Sequence, residues 1–242
     1  MNIIKLNAIN STNDYLKSLS SSQYLENFTV VSAENQTAGK GQMGAKWSVE
    51  PGKNLTFSVL VRDLIIDVSE LFYLNAAVAV SIIQALESFH IGQLSIKWPN
   101  DILAGSKKIS GILIENSLKN NGEVFSVIGI GLNVNQIAFG DLAKATSLAL
   151  LTGRECDKGA IMKAIVENLK RNVAALLHKE TGLIWNKYHN LLFKKDVPMP
   201  FEKNGTRFMG IIKEVSKTGS LIVQLEDNSI ASYGIKEVQL LY

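Results

Sequence analysis

The chain has 242 residues but only one cysteine, three histidines and four prolines. A single thiol, Cys156, excludes a disulfide framework and any CxxC site, and a reducing compartment is expected. His90, His178 and His189 are not at metal-ligand spacings, so no zinc centre is expected. The net charge is only +3. Lys107-Lys108 and Lys194-Lys195 are pairs with no basic run, so no nucleic-acid partner is expected. The greasiest stretch, Leu71 to Phe89, is interrupted by Asn75, Ser81, Gln84 and Glu87. It reads as a buried core helix, and no membrane association is expected. Met1 to Leu6 lacks a charged region followed by an apolar core, so no signal peptide is expected and the location is expected to be cytoplasmic. What remains, 46% apolar and 19% charged residues, is the composition of an ordinary globular chain with one large domain or one plus a small one.

What the chain does have is glycine at Gly39, Gly41 and Gly44, within Ala33-Glu34-Asn35-Gln36-Thr37-Ala38-Gly39-Lys40-Gly41-Gln42-Met43-Gly44-Ala45-Lys46-Trp47. The spacing matches G-x-G-x-x-G, but a dinucleotide fingerprint needs a strand before it and a helix opening on it. A strand is expected before it, at Phe28 to Ala33. After it come Pro51, Gly52 and a new strand pattern from Leu55, so the helix is missing. A kinase glycine loop has the same spacing, yet no HRD or DFG sequence follows. The segment is a glycine-rich loop between two strands, whose backbone N–H groups can approach an anion closely.

Periodicity places a short helix near Ser11-Thr12-Asn13-Asp14, with Tyr15, Leu16 and Leu19 inward. Strands are expected at Phe28–Ala33 and Leu55–Arg62, and a long apolar helix at Val68–Phe89. Short strands follow at Leu94–Trp98, Asp101–Leu103, Lys108–Asn116 and Glu123–Val134. The last two are joined by a hairpin signal, Lys119-Asn120-Asn121-Gly122. A helical turn at Ser147–Leu151 stops at Gly153, and Asp157 caps a helix carrying Ile161, Ile165, Leu169, Val173 and Leu176. A further helix runs from Leu183 to Phe193. After Lys195, Pro198 and Pro200 mark a break, and glycine-punctuated alternation predicts four or five strands in a small barrel. The fold class is therefore α+β, a largely antiparallel sheet with packed helices, divided at 1–194 and 195–242.

Four constellations can carry chemistry. Ser11-Thr12-Asn13 reads as a helix cap, or as a polar cluster offered to a ligand at a helix start. The glycine loop, with Gln36 before it and Trp47 after it, is costly to order without a ligand. Lys97-Trp98-Pro99-Asn100-Asp101 is a turn at a strand end, whose carboxylate and amide can also hold Mg²⁺ or an Mg-bound phosphate. In Lys107-Lys108-Ile109-Ser110-Gly111-Ile112-Leu113-Ile114-Glu115, Lys108 stands at the mouth of an apolar strand, where an ammonium can stabilise a phosphate or carboxylate. The strand Ile128-Gly129-Ile130-Gly131-Leu132-Asn133-Val134-Asn135 adds two glycines against which a flat ligand can lie.

In this order, STN, AENQTAGKGQMGAKW, PGKNL, KWPND, KKISGIL and GIGLNVN resemble the biotin–protein ligases, relatives of the lipoate–protein ligases. The motifs span most of Ile9 to Asn135. The resemblance implies a biotin/lipoate ligase-like catalytic domain, a C-terminal SH3-like barrel, and a monofunctional enzyme without the DNA-binding extension of some members. It implies activation of biotin by ATP to biotinyl-AMP and transfer to a lysine of a biotin carboxyl carrier protein. A homodimer through sheet edges is also an arrangement the resemblance allows.

By resemblance, Ser11, Thr12 and Gln36 contact the ureido ring, with Asn13 beside them. Trp47, Gly111, Ile112, Leu132 and Gly131 line the ring and tail. Lys108, Lys97 and Asp101 are the catalytic group. Gly39, Lys40, Gly41, Gln42, Met43, Gly44, Trp47, Asn54, Asn100 and Asn133 fall on the ATP or adenylate side, with Asn100 and Asp101 as Mg²⁺ ligands. Many bacterial members carry several arginines in the loop, in a pattern like GRGRRGRxW. Here Lys40, Gln42, Met43 and Ala45 stand at those positions, which predicts a weaker hold on the adenylate. The rival readings are lipoate or octanoate transfer on the same scaffold, and a non-catalytic binder of a small acid or nucleotide. A DNA-binding regulator is disfavoured by the mild charge.

Overall fold

A computed structural model describes residues 2–64, 67–118 and 124–242. Seven strands form the main sheet: β1 (Ile3–Ile9), β2 (Val30–Gln36), β3 (Leu55–Leu64), β4 (Leu94–Lys97), β5 (Asp101–Ala104), β6 (Lys107–Leu118) and β7 (Val124–Leu132). Their order is β1-β2-β3-β7-β6-β5-β4. Only β1 and β2 run parallel; every other neighbouring pair is antiparallel. The α+β reading therefore holds. The hairpin signal at residues 119–122 lies outside the described residues.

The period of two in the strands builds two cores. Val30, Val59, Val61 and Ile128 point to one face, which is covered by α2 (Phe72–Ser88) and α4 (Lys158–Leu177). Val31, Leu60 and Val127 point to the other and meet Leu16 and Leu25. Leu16 belongs to α1 (Thr12–Ser22). α2 has twelve buried residues and packs on most of its sides, as its predominantly apolar composition requires.

Asp157 caps α4, accepting from the Gly159 and Ala160 N–H groups. Ser147 caps the short α3 (Leu148–Thr152), and Gly153 stops it at φ +70°. α5 (Gly182–Asn190) lies against α2 through Trp185 and Tyr188.

Several limits differ from expectation. β2 starts at Val30, because Phe28 sits at φ +61°, outside the extended region. The expected helix from Val68 is broken into a 3₁₀ turn, Val68–Glu70, and α2. β7 ends at Leu132: the Asn133 N–H still donates to the Ile109 carbonyl of β6, but the Asn133 carbonyl turns away to accept from the Leu148 N–H. β1 was not expected at all. It is an edge strand that buries no residue fully, so its hydrophobic alternation is weak.

The C-terminal strands β8 (Pro198–Lys203), β9 (Thr206–Val215), β10 (Leu221–Leu225), β11 (Ile230–Tyr233) and β12 (Gln239–Leu240) form a five-stranded antiparallel sheet, with β11 and β12 at its edges. It docks on the main body. The Trp98 indole N–H donates to the Gly219 carbonyl at 2.9 Å. His189 Nε2 meets both the N–H and the carbonyl of Val215. Phe201, Ile212, Val215 and Val223 belong to the same apolar cluster as α2. This docking closes one side of the cavity described next.

Candidate functional site

A cavity of about 510 Å³ lies over β6 and β7, between the start of α1, the glycine loop and the C-terminal sheet. Each wall has a distinct local cause.

The polar end is made by the first turn of α1. Ser11 has extended dihedrals, φ −152° and ψ 130°, and its hydroxyl accepts from the Asp14 N–H. Ser11, Thr12 and Asn13 are each no more than 3% exposed. Both the Thr12 N–H and its hydroxyl point at Gln36 Oε1, at 2.8 and 3.0 Å. Ser58, fully buried on β3, lies 2.7 Å from the Thr12 hydroxyl and 2.6 Å from Asn13 Oδ1. Asn13 Nδ2 donates to Glu115 Oε2 at 2.8 Å, and Lys17 holds the other carboxylate oxygen at 2.8 Å. Ser58 and this use of Glu115 were missed; nothing in the sequence separates Ser58 from any other strand serine.

The loop after Gln36 folds back on itself. The Trp47 N–H donates to the Gly39 carbonyl at 3.0 Å, and the Gly41 N–H to the Ala45 carbonyl at 2.7 Å. Its tip, Gln42–Gly44, turns through left-handed Met43 at φ +53° and Gly44 at φ +80°. Gly39 has a steric reason to be glycine, because a Cβ there would run into the Trp47 carbonyl. Two side chains tie the loop down: Lys40 pairs with Asp14 at 2.7 Å, and Lys236, in the turn between β11 and β12, donates to the Met43 carbonyl at 2.7 Å. The hydrogen bond to Asp14 raises the Lys40 pKa above its usual value.

The floor differs from expectation. Gly129 and Gly131 were expected to leave room for a ligand's flat body. Instead the Asn13 amide packs on Gly129, where a Cβ would fall 2.5 Å from its Oδ1, and the Trp47 indole lies on Gly131. Trp47 Nε1 is buried there and finds no hydrogen-bond partner among the described residues. The indole borders Gly111 as well, with the Lys108 ammonium 5.5 Å from its ring centre.

At the far end Asp101 stands between two lysines. Lys108 Nζ lies 2.6 Å from Asp101 Oδ1, and Lys97 Nζ 4.0 Å from Oδ2. Antiparallel pairing of β5 with β6 sets the first contact, because Leu103 faces Lys108 across a bulge. Burial lowers the Lys97 pKa; Asp101 opposes that shift, and Lys108 and Lys144 add to it. The Tyr242 ring covers this group, 5.1 Å from Lys97 Nζ and 4.1 Å from Lys144 Nζ.

Ser11, Thr12, Asn13, Gln36, Lys40, Gly41, Gln42, Trp47, Lys97, Asn100, Asp101, Lys108, Gly111, Ile112 and Gly131 all line this one cavity. Gly39, Met43 and Gly44 belong to the loop but not to the lining. Neither Leu132 nor Asn133 reaches it: Leu132 is fully buried, and Asn133 Nδ2 donates to the Thr146 carbonyl. Asn54 does not line this cavity either. Its amide bridges Gln136 Oε1 and the Val134 N–H, and it borders a separate depression near Lys158. Asn100 Nδ2 donates to the Ile112 carbonyl, bracing the turn against β6.

The donor set does not fit a resident magnesium ion. Among the described residues Asp101 is the one carboxylate lining the cavity, and two lysines already match it. Among the described residues no group of three or more His, Cys, Asp or Glu could hold a metal. Among the same residues, no helix is long and apolar enough to cross a membrane.

The arrangement pairs hydrogen-bonding groups for a small polar ring with a cationic end for an anion, joined by an apolar middle. Residues 6–135 match the sequence profile of the biotin/lipoate A/B protein ligase family. The chain belongs to that family.

Within the family it is 36% identical over 168 residues to the bifunctional ligase/repressor BirA of Bacillus spizizenii, covering 66% of this chain and 51% of that protein. It is 31% identical over 147 residues to the biotin–[acetyl-CoA-carboxylase] ligase of Mycobacterium tuberculosis, covering 60% of this chain and 53% of that one. The chain therefore spans about half the length of these curated relatives. It superposes on a biotin protein ligase from Aquifex aeolicus, solved in complex with biotin and ATP, with a TM-score of 0.82 and 25% identity. That match covers 99% of this chain and 98% of the other.

Proposed function

We propose that this protein is an ATP-dependent biotin–protein ligase acting on a biotin carboxyl carrier protein. The observation that carries the reading is one cavity with the Ser11, Thr12 and Gln36 hydrogen-bonding groups at one end and Lys108, Lys97 and Asp101 at the other. A ureido ring has two N–H donors and one carbonyl, and buried polar groups of that kind need partners. Lipoate offers none of them, so it would leave the polar end unpaired.

In this reading the biotin carboxylate attacks the α-phosphorus of ATP and displaces pyrophosphate. The carrier lysine amine then attacks the acyl carbon, and AMP leaves. Lys108 and Lys97 offset the negative charge that gathers as carboxylate and phosphate approach. Asp101 lies between the two ammonium groups and offsets their mutual repulsion. Lys40 and the loop amides supply donors to the adenylate, and the loop limits hydrolysis by excluding water. Mg²⁺ is read as arriving on the nucleotide's phosphates.

The division at 1–194 and 195–242 and the SH3-like barrel stay part of this reading, supported by five short antiparallel strands after Pro198. So do a cytoplasmic location, a homodimer through sheet edges, and no nucleic-acid partner. The test is to incubate the protein with ATP, Mg²⁺, an apo carrier domain and either biotin or lipoate. A mass gain on the carrier with biotin alone supports the reading, and no gain with either acid overturns it.

A further inference from the structure

From Glu115 at the surface a chain of polar groups runs through Asn13 and Ser58 to Thr12, and its hydrogen-bond polarity can be worked out group by group. Glu115, as a carboxylate, only accepts. Asn13 therefore turns Nδ2 toward Glu115 and Oδ1 toward Ser58. Because Asn13 Oδ1 only accepts, the single Ser58 proton is committed to it at 2.6 Å. Ser58 Oγ then presents lone pairs to Thr12 at 2.7 Å. Gln36 Oε1 also only accepts, at 3.0 Å from the same hydroxyl. The one Thr12 proton thus points inward, to Ser58 or Gln36, and only lone pairs face the cavity. Gln36 has Oε1 occupied by Thr12, so its Nε2 is left to donate. Gly129 belongs to the device, since any Cβ there would displace the Asn13 amide.

We propose that Glu115, Asn13 and Ser58 are positioning residues that hold Thr12 as a hydrogen-bond acceptor, making the site selective for a ligand N–H at that point. Glu115 and Ser58 do not line the cavity, and Lys17 anchors the relay by holding Glu115. The inference rests on the biotin reading and adds to it the reason one ureido N–H is required. Burial strengthens the effect, because Ser58 is fully buried and Thr12 and Asn13 are 3% exposed, so solvent does not compete.

The test uses the full chain and measures adenylation kinetics with biotin and with a carbamate analogue in which oxygen replaces one ureido N–H. The wild type is expected to bind the analogue about tenfold more weakly, because an acceptor would face an oxygen. Glu115→Ala frees the Asn13 amide while replacing no residue that lines the cavity. It is expected to raise KM for biotin about tenfold with kcat unchanged, and to shrink the preference over the analogue to about twofold. Ser58→Ala combined with Glu115→Ala is expected to cost less than the product of the two single effects, because both cut one chain. Thermal unfolding of each variant separates a folding defect from a binding one.

An unchanged KM in Glu115→Ala, an undiminished preference for biotin, or independent effects of the two substitutions would overturn the relay. A wild-type chain that adenylates no biotin removes the function reading and the inference with it. Normal wild-type turnover with unaltered variants removes the relay alone.

Discussion

The two ends of the cavity are built on opposite principles. At the α1 end, Ser11, Thr12, Asn13 and Ser58 are buried, and Thr12, Asn13 and Ser58 are joined to one another and to Gln36 by hydrogen bonds of 2.6 to 3.0 Å. At the loop end, Met43 is 63% exposed, and the main cross-ties are the exposed Lys40–Asp14 pair and the Lys236 bond. Segments with few buried contacts open at little cost, whereas a buried hydrogen-bonded network opens only with the core. The comparison teaches a division of labour. On the proposed reading, recognition is fixed in the fold, while retention depends on a loop that must open for each ligand.

The largest expected effect tests the cationic end. Lys108→Ala removes the ammonium nearest Asp101 and should lower ATP–pyrophosphate exchange about 10²–10³-fold without loss of fold. Normal exchange would end its assignment as the central catalytic group. Next comes Gly39→Ala, which probes the joint between the two regions. The added Cβ meets the Trp47 carbonyl and lies 3.0 Å from Gln36 Nε2. Biotin affinity by calorimetry should fall about tenfold, roughly 1.4 kcal/mol. An unchanged affinity would show that the loop and the polar end are not coupled.

A smaller effect concerns pH. Burial holds the Lys97 pKa below 10.5. The groups around it are Asp101, Lys108, Lys144 and the Tyr242 ring, whose own pKa burial raises. Adenylation should therefore decline as pH rises through that lowered value, and Lys97→Arg, always protonated, should remove the decline. The sign for stability is opposite. The charged buried lysine destabilises the fold at neutral pH, and that cost is relieved as pH rises through its folded pKa toward 10.5.

The smallest expected effect is at the loop tip. Gln42→Arg should slow release of biotinyl-AMP about twofold or more, because a charge-assisted bond replaces a neutral one. Lys236→Ala should speed it by a similar factor, since it cuts the tie to the Met43 carbonyl. Release rates read by trapping the intermediate check both.

Local patterns in the chain carried much of this. Ser11, Ser147 and Asp157 announce helix starts because a side-chain oxygen must satisfy the first free N–H groups. Gly153 announces a helix end because it alone adopts left-handed dihedrals without strain. β1 was not legible, since an edge strand half exposed along its length has no hydrophobic stripe to read. Asn54 and Asn133 read as ligand groups in the sequence, while in the fold their amides bond within the protein; an amide serves backbone and ligand equally well, so the sequence does not tell the two apart. Ser58 was invisible, since its role depends on what stands opposite it.

The sequence by itself determined the elements and which motifs belong together, because caps, turns and strand alternation are local and repeat at fixed spacing. Only the tertiary structure decided what each polar atom is committed to. Donor and acceptor roles at Thr12 follow from Ser58, Asn13 and Glu115, which lie 46, 1 and 103 residues away and meet only when α1 is laid across the sheet. The same holds for Trp47, whose place on Gly131 exists only because β7 runs beneath the folded loop. A hydrogen bond is a property of a pair, and the fold chooses the pairs.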